Sequence, residues 1–289
     1  MSDKPRILFQ LDPDKHASSF DAVVAIDSGV QHLVPYSSVS EDDVQNLVYG
    51  GIFTRGPSDL KSTAIFIGGT NVEAGERLAE KVASTFFGPM RISVMIDPNG
   101  ANTTASAAVV AAGRHAKLQD ATATVLAGTG PVGQRVCRLL AAAGASVRVG
   151  SRSEERAVRV CDQIHSVVEG ASIHPFTPTG DAQLQAVLNE TDLLFAAGTT
   201  GVQLAPNSAW ADSTSLKVAI DLNAVPPLGI EGIEVMDAGA DRSGKTCYGA
   251  IGVGGTKMKI HKAAIARLFE QNDLFLDAAE IYEIGCGLE

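Results

Sequence analysis

The order of apolar and polar runs along this chain predicts an α/β fold in two domains, with parallel sheets covered by helices. Three observations carry that prediction. Short apolar runs alternate with stretches of helical periodicity along the whole chain. A Gly-x-Gly-x-x-Gly turn, Gly128 to Gly133, stands between one such run and one such helix. That turn falls at residue 128 of 289 rather than near the start, so an α/β domain of roughly 110 residues precedes it.

In the first domain, strands are expected at residues 6–11, 22–26, 64–67 and 92–96, with helices between them. The clearest helix is 73–87, where Leu78, Val82 and Phe86 line one face. After the last strand comes Asp97-Pro98-Asn99-Gly100-Ala101-Asn102-Thr103-Thr104, which gathers carboxylate, amide and hydroxyl groups. Its place at the carboxyl end of a parallel strand is where open α/β sheets take ligands. A plainer reading is that Asn102 or Thr103 caps the next helix, and both readings can hold together. A helix at 103–116 bridges to the second domain.

The second domain opens on a strand at 123–127, which feeds directly into the glycine turn Gly128-Thr129-Gly130-Pro131-Val132-Gly133. A helix leaves the turn with Val132, Val136, Leu139, Leu140 and Ala143 on one face; Gly144 stops it, and a strand at 146–149 follows. This is the opening βαβ unit of a Rossmann-type dinucleotide-binding domain. Gly128 permits the tight turn, Gly130 lets the backbone approach a pyrophosphate, and Gly133 lets helix and strand pack closely. Phosphates would sit at the helix N-terminus, where unpaired N–H groups and the dipole favour negative charge.

The tip of the second strand reports on the dinucleotide. NAD sites place an Asp or Glu there for the ribose 2′-hydroxyl. Here the strand ends in Gly150-Ser151-Arg152-Ser153, without a carboxylate. Small hydroxyls with Arg152 suit a 2′-phosphate, which a guanidinium pairs bidentately, and Arg156 one turn on adds to this. NADP is therefore favoured, while Glu154 and Glu155 leave NAD use open.

Further strands are expected at 172–176, 192–196, 217–221 and 233–236. Ala196-Ala197-Gly198 ends one of them with small residues that let a cofactor lie close, and Asp221-Leu222-Asn223 leads the next into a rigid proline-rich loop. A glycine-rich loop at 249–255 then delivers Thr256 and Lys257 to a helix start. A cation there opposes the helix dipole, which marks Lys257 as a candidate for substrate. Lys259 and Lys262 support the plainer reading of a lysine-rich segment. The last helix runs through His261, Ile265, Leu268 and Phe269 and has no strand after it, so it is expected to pack back across the first domain. The resulting division is 1–112 for substrate, 113–255 for the dinucleotide and 256–289 for the returning helical segment, with substrate meeting nicotinamide in the cleft between domains.

Composition narrows the class. Hydrophobic residues make up 45%, and no segment approaches the roughly 20 apolar residues that span a bilayer. Met1-Ser2-Asp3-Lys4-Pro5-Arg6 leads into a strand rather than a signal-peptide core. Cys137, Cys161, Cys247 and Cys286 are scattered, so no metal site or disulfide framework is expected and a cytoplasmic enzyme fits. The net charge of −10 argues against a nucleic-acid partner.

The segments Asp97 to Thr104, Leu126 to Gly133, Asn223-Ala224-Val225-Pro226-Pro227-Leu228-Gly229 and Gly252-Val253-Gly254-Gly255-Thr256-Lys257-Met258-Lys259 together resemble the bacterial NAD(P)-dependent methylene-tetrahydromethanopterin dehydrogenases. Phe86-Phe87-Gly88-Pro89 and Asp277-Ala278-Ala279-Glu280-Ile281-Tyr282 fit as well. The resemblance implies oxidation of methylene-tetrahydromethanopterin to the methenyl cation in bacterial formaldehyde oxidation, with a fold distantly similar to methylene-tetrahydrofolate dehydrogenases. It also implies a homo-oligomer built on trimers or dimers, a hexamer among the options. The tyrosine–lysine motif of the tetrahydrofolate enzymes has no counterpart, since Tyr49 is followed by Gly50-Gly51-Ile52-Phe53.

The chemistry so implied needs few acids or bases. The donor carbon lies between two nitrogens that share the positive charge as hydride leaves, so no proton moves and positioning dominates. Asp97 could favour the developing cation, or it could simply close its loop by accepting nearby N–H groups. Lys257 would suit the pterin carbonyl, and Asn99, Gly100, Asn102 and Thr103 would bind substrate. Ala197, Gly198 and Asn223 join the cofactor set. Two alternatives stand: a tetrahydrofolate-linked or other NADP dehydrogenase of this architecture, and, more remotely, a non-catalytic NADP-binding module.

Overall fold

The structure, a computed structural model, describes residues 4–289; Met1, Ser2 and Asp3 of the lead-in lie outside them. The chain divides into two units, one formed by residues up to 103 together with 258–289, the other by 104–257.

The first unit begins β1 (Ile7–Leu11), α1 (Ser19–Asp27), β2 (His32–Tyr36), α2 (Glu41–Ile52), β3 (Thr63–Ile67), α3 (Val72–Thr85) and β4 (Ser93–Ile96), after which α4 (Ala101–Gly113) carries the chain into the second. The expected strand at 22–26 is instead the middle of α1. The Ser18 hydroxyl accepts the Asp21 N–H and starts that helix, and two parallel strands, β1 and β2, need a crossover between them. The Ala-Val-Val-Ala-Ile run misled because its β-branched residues read as strand. β2 escaped notice because it is an edge strand carrying His32 and Pro35, half exposed and without an apolar alternation. One face of the sheet packs Leu11, Ile65, Ile67, Val94 and Ile96 against Val44 and Val48 of α2 and Leu78 and Val82 of α3. Each such buried side chain contributes roughly 1.5–3 kcal/mol relative to exposure.

The second unit continues with β5 (Thr122–Leu126), α5 (Pro131–Ala142), β6 (Ser146–Gly150), α6 (Glu154–Val167), β7 (Ser172–Phe176), α7 (Asp181–Leu188), β8 (Leu193–Ala196), α8 (Asn207–Trp210) and β9 (Val218–Asp221). A hairpin, β10 (Ala238–Arg242) and β11 (Lys245–Tyr248), precedes α9 (Ala250–Arg267), and the chain ends with β12 (Phe275–Leu276) and α10 (Ala278–Cys286). The sheet order is β10-β11-β9-β8-β5-β6-β7; β10 and β11 are antiparallel to each other and the remaining pairs are parallel.

Three expectations about the C-terminal third fail, the first two for one connected reason. Residues 233–236 form no strand, and the stretch 249–255 is not a loop but, from Ala250, helix. The backbone of 234–238 is instead spent on α9. Ile251 N–H donates to Val235 O at 3.0 Å, and a Cβ on Gly249 or Gly252 would lie 2.1 Å from Glu234 O or 1.7 Å from Asp237 O. The glycines are there so that helix and chain can touch, and that packing overrides their low helix propensity. The hairpin turn has Ser243 and Gly244 both at positive φ, the type I′ geometry that suits a two-residue connection. Finally, a strand does follow the last long helix: β12 pairs with β4 and completes the first sheet as β12-β4-β3-β1-β2. The returning segment also holds the first unit through Lys262 to Asp27 at 2.8 Å and the Arg6 guanidinium 5.5 Å above the Phe269 ring.

Candidate functional site

In the second unit β5 has β6 on one side and β8 on the other, so the glycine turn after β5 lies where the strand order reverses, the usual ligand position in an open parallel sheet. Gly128 N–H donates to Gly150 O at 2.8 Å, and Gln134 Nε2 donates to Thr129 O at 2.8 Å, fixing the turn from both sides. Positive φ falls on Ala127, at 54°, rather than on Gly128, whose absent side chain serves space: a Cβ would meet Val125 O at 3.0 Å. At Gly133 a Cβ would strike Ala127 O at 2.6 Å, whereas at Gly130 the nearest atom would be 3.6 Å away. Gly130 is the N-cap of α5 and supplies no side-chain acceptor, and Pro131 takes the first helical position. The helix thus begins with N–H groups available to an anion.

Around the turn stand the other residues expected for the cofactor. Ser151, nearly buried, accepts the Ser153 N–H at 3.1 Å and lies 3.5 Å from the Thr129 hydroxyl, linking the glycine turn to the loop after β6. Ser153 caps α6 by accepting the Arg156 N–H. Arg152 and Arg156 are exposed, and their guanidinium groups have no ion-pair partner among the described residues, while Glu155 pairs with Arg159. Ala197 N–H donates to Leu126 O at 3.1 Å, and Ala197 O lies beside Gly130, so 197 and 198 border the turn. Asn223 is buried in its own loop, its amide donating to Pro227 O and accepting Val225 N–H. Beneath it the wholly buried Asp221 accepts Asn223 N–H and Ile230 N–H; burial raises its carboxyl above the usual range despite those bonds. Val132 lies in the first turn of α5.

In the first unit Asp97 is 2% exposed and acts as the closing group of its loop. Its Oδ1 accepts the N–H groups of Asn102 (2.9 Å) and Thr103 (3.0 Å), and its Oδ2 accepts the Thr103 hydroxyl (2.6 Å). Asn102 and Thr103 are buried too, and the Asn102 amide donates to Ile96 O. Asn99 and Gly100 differ: both have positive φ, and Asn99 is exposed. Asn99 N–H donates to Gly69 O at 2.6 Å, which joins this loop to the one after β3. That loop is joined in turn to the one after β1, because Asp14 accepts both the N–H (2.9 Å) and the hydroxyl (3.1 Å) of Thr70. Asp12, wholly buried, shapes the β1 loop by accepting Asp14 N–H and Ser18 N–H, and burial raises its carboxyl. Asp12, Asp14 and Thr70 went unnoticed in the sequence; the signal was Asp12-Pro13-Asp14 directly after the first strand.

Lys257 is half-buried in the third turn of α9, so the argument from a cation at a helix start does not apply to it. Among the described residues no group of three or more His, Cys, Asp or Glu could hold a metal, and no helix is long and apolar enough to cross a membrane. The cysteines are unpaired; burial pushes the Cys161 thiol up to about 11 and Cys247 to about 12, so neither is a nucleophile near neutrality.

Parallel strands, a glycine turn at the switch point and an open helix N-terminus define a protein of the Rossmann-type α/β fold class. Its fold is similar to shikimate 5-dehydrogenase from Listeria monocytogenes, solved with shikimate and NAD, at a TM-score of 0.57 and 13% identity over 98% of this chain and 97% of that one. Sequence relatives narrow the class. The chain is 42% identical over 281 residues to the bifunctional protein MdtA of Methylorubrum extorquens, covering 96% of this chain and 97% of the relative. It is 32% identical over 288 residues to the NAD(P)-dependent methylenetetrahydromethanopterin dehydrogenase of the same organism, with the same coverage of 96% and 97%. A family model described as methylene-tetrahydromethanopterin dehydrogenase, N-terminal, matches residues 19–99. The chain belongs to the methylene-tetrahydromethanopterin dehydrogenase family.

Proposed function

We propose that the protein oxidises methylene-tetrahydromethanopterin to the methenyl cation with NADP as hydride acceptor, NAD being a weaker alternative. The 32% identity along nearly the whole chain to a relative named as that NAD(P)-dependent dehydrogenase carries this reading, and the glycine turn gives it a physical basis. The dinucleotide, when bound, supplies the nicotinamide C4 that takes the hydride. Gly130 leaves room for the pyrophosphate, the N–H groups of α5 face it, and Thr129, Ser151, Arg152 and Arg156 hold the 2′-phosphate. Ala197 and Gly198 offer small side chains alongside the cofactor.

The exposed Asn99 and the half-buried Gly100 present the loop to the pterin, while Asp97, Asn102 and Thr103 act as positioning residues that hold the loop in shape. Lys257 orients the pterin carbonyl. No side chain exchanges a proton in the step, because the leaving hydride is pushed by nitrogen lone pairs of the substrate. Residues 1–112 serve substrate, 113–255 the dinucleotide, and 256–289 complete the first domain. The protein works in the cytoplasm as a homo-oligomer, in formaldehyde oxidation of a methylotrophic cell.

The test follows NADPH absorbance with purified protein, NADP and methylene-tetrahydromethanopterin, with methylene-tetrahydrofolate and NAD in parallel. Turnover of the methanopterin compound with NADP is expected. Turnover of the folate alone, or NADP binding with no turnover of either, refutes the reading.

A further inference from the structure

Asp221 closes β9 beside Ala196, its register partner at the end of β8. It is wholly buried, and two loops are fastened together around it. Its Oδ1 accepts Asn223 N–H at 2.9 Å and its Oδ2 accepts Ile230 N–H at 2.8 Å, so one carboxylate grips both ends of the loop 222–230. It also fills the space a side chain at 229 would need: a Cβ on Gly229 would lie 2.8 Å from Oδ1 and 3.0 Å from Ala196 Cβ. Gly229 O accepts the N–H groups of Leu204 (2.8 Å) and Ala205 (3.0 Å), which ties on the loop after β8. Between the grips, Ala224, Val225, Pro226 and Pro227 are exposed and carry no charge. Neither proline has an N–H with which to hold the loop, so its shape leans on the carboxylate.

The start of α5, where the pyrophosphate is expected, divides this edge of the sheet. β6 and the segment from Ser151 to Arg156 lie on one side of β5, and β8 and β9 lie on the other. A dinucleotide whose 2′-phosphate meets Arg152 therefore carries its nicotinamide toward the loops after β8 and β9. We infer that Asp221 is a positioning residue for the nicotinamide half of the cofactor: it fixes the wall on which that ring is set, without touching the cofactor itself. The inference rests on the function proposed above. An amide in place of the carboxylate would turn its NH2 toward one of the two N–H donors, so Asn can hold only one end of the loop. A wall shifted by about 1 Å would cost on the order of a hundredfold in the rate of hydride transfer.

The experiment compares wild type with Asp221→Asn and Gly229→Ala, which disturb the same grip from its two sides. Isothermal titration gives the Kd for NADP and for adenosine 2′,5′-bisphosphate, which carries only the adenosine half; steady-state kinetics give kcat and KM. Both variants are expected to leave the bisphosphate Kd unchanged, to raise the NADP Kd on the order of tenfold, and to lower kcat. Equal losses for NADP and bisphosphate, or no loss for either, overturn the assignment and leave Asp221 a prop of the fold. Should Asp221→Asn not fold, Gly229→Ala decides by the same ratio, and failure of both to fold also overturns it. Wild type that binds NADP but turns over no pterin removes the functional reading, while the two affinities still decide the role of Asp221. Wild type that binds no NADP removes both.

Discussion

Gly130 and Gly133 sit in the same turn, yet alanine at each should fail in opposite ways. At Gly133 the added Cβ would be 2.6 Å from Ala127 O and 2.8 Å from Gly128 Cα, about 0.8 Å short of ordinary contact. Both obstacles are backbone held by the sheet, so α5 must move away from β5. Overpacking of this kind costs about 1–3 kcal/mol, which for a domain of this size lowers the melting temperature by roughly 3–10 °C. At Gly130 the nearest atom would be 3.6 Å away, and its φ of −78° suits any residue. Gly130→Ala should therefore melt within about 1 °C of wild type. Its methyl group instead meets the incoming pyrophosphate, and the NADP Kd should rise at least tenfold, a loss of about 1.4 kcal/mol. Circular dichroism melts and isothermal titration with NADP measure both quantities on both variants. Tight NADP binding by Gly130→Ala would refute the approach of phosphate at that residue. An unshifted melt of Gly133→Ala would refute the packing argument.

Other expectations concern single side chains. Arg152→Ala should raise the KM for NADP about tenfold and the KM for NAD little, as steady-state kinetics with both cofactors will reveal; equal changes would remove the 2′-phosphate role. Asp97→Ala strands two N–H groups and the Thr103 hydroxyl, costing about 2–4 kcal/mol in thermal melts, whereas Asp97→Asn keeps an oxygen for the N–H groups and should lose less. Lys257→Ala should raise the pterin KM and leave the NADP Kd alone, and unchanged kinetics would return Lys257 to a structural place. The Asp237 carboxyl feels burial, which raises it, but the bonds from Arg242 and from Glu234 N–H outweigh that and hold it below 3.8. A depressed carboxyl stabilises the fold above its unfolded value and loses that contribution as pH falls through the folded one. Arg242→Met should thus melt below wild type near neutrality, with the gap closing as pH drops below about 3.8; a gap independent of pH would refute the pairing.

What the sequence revealed, and what it hid, follows from the range of the interactions. The βαβ unit from 122 to 150 was legible because strand, glycine turn and helix are written within a few turns of each other. Asp97 was legible with both its readings, and the one that geometry favours is loop closure. α1 was read as strand because five apolar residues carry no period of their own, and only the parallel pairing of β1 with β2 demands a helix there. Gly249 and Gly252 looked like part of a loop because their reason, the backbone at 234–238, is a tertiary neighbour. Asp14 and Thr70 are 56 residues apart and meet only through the register of β1 on β3. Pairings of that kind leave no local trace.

The edge strand β12 has a consequence for synthesis. The ribosome releases β1 to β4 early, then the whole of residues 104–257, and only afterwards the two residues that cover β4. Until then β4 presents unpaired N–H and C=O groups on an apolar strand, the kind of edge that recruits other chains. The nascent protein therefore carries an open sheet edge from the time β4 emerges until almost its whole sequence has been made. Cutting the chain before Phe275 would restore that hazard permanently, so the tail guards solubility as well as completing a sheet.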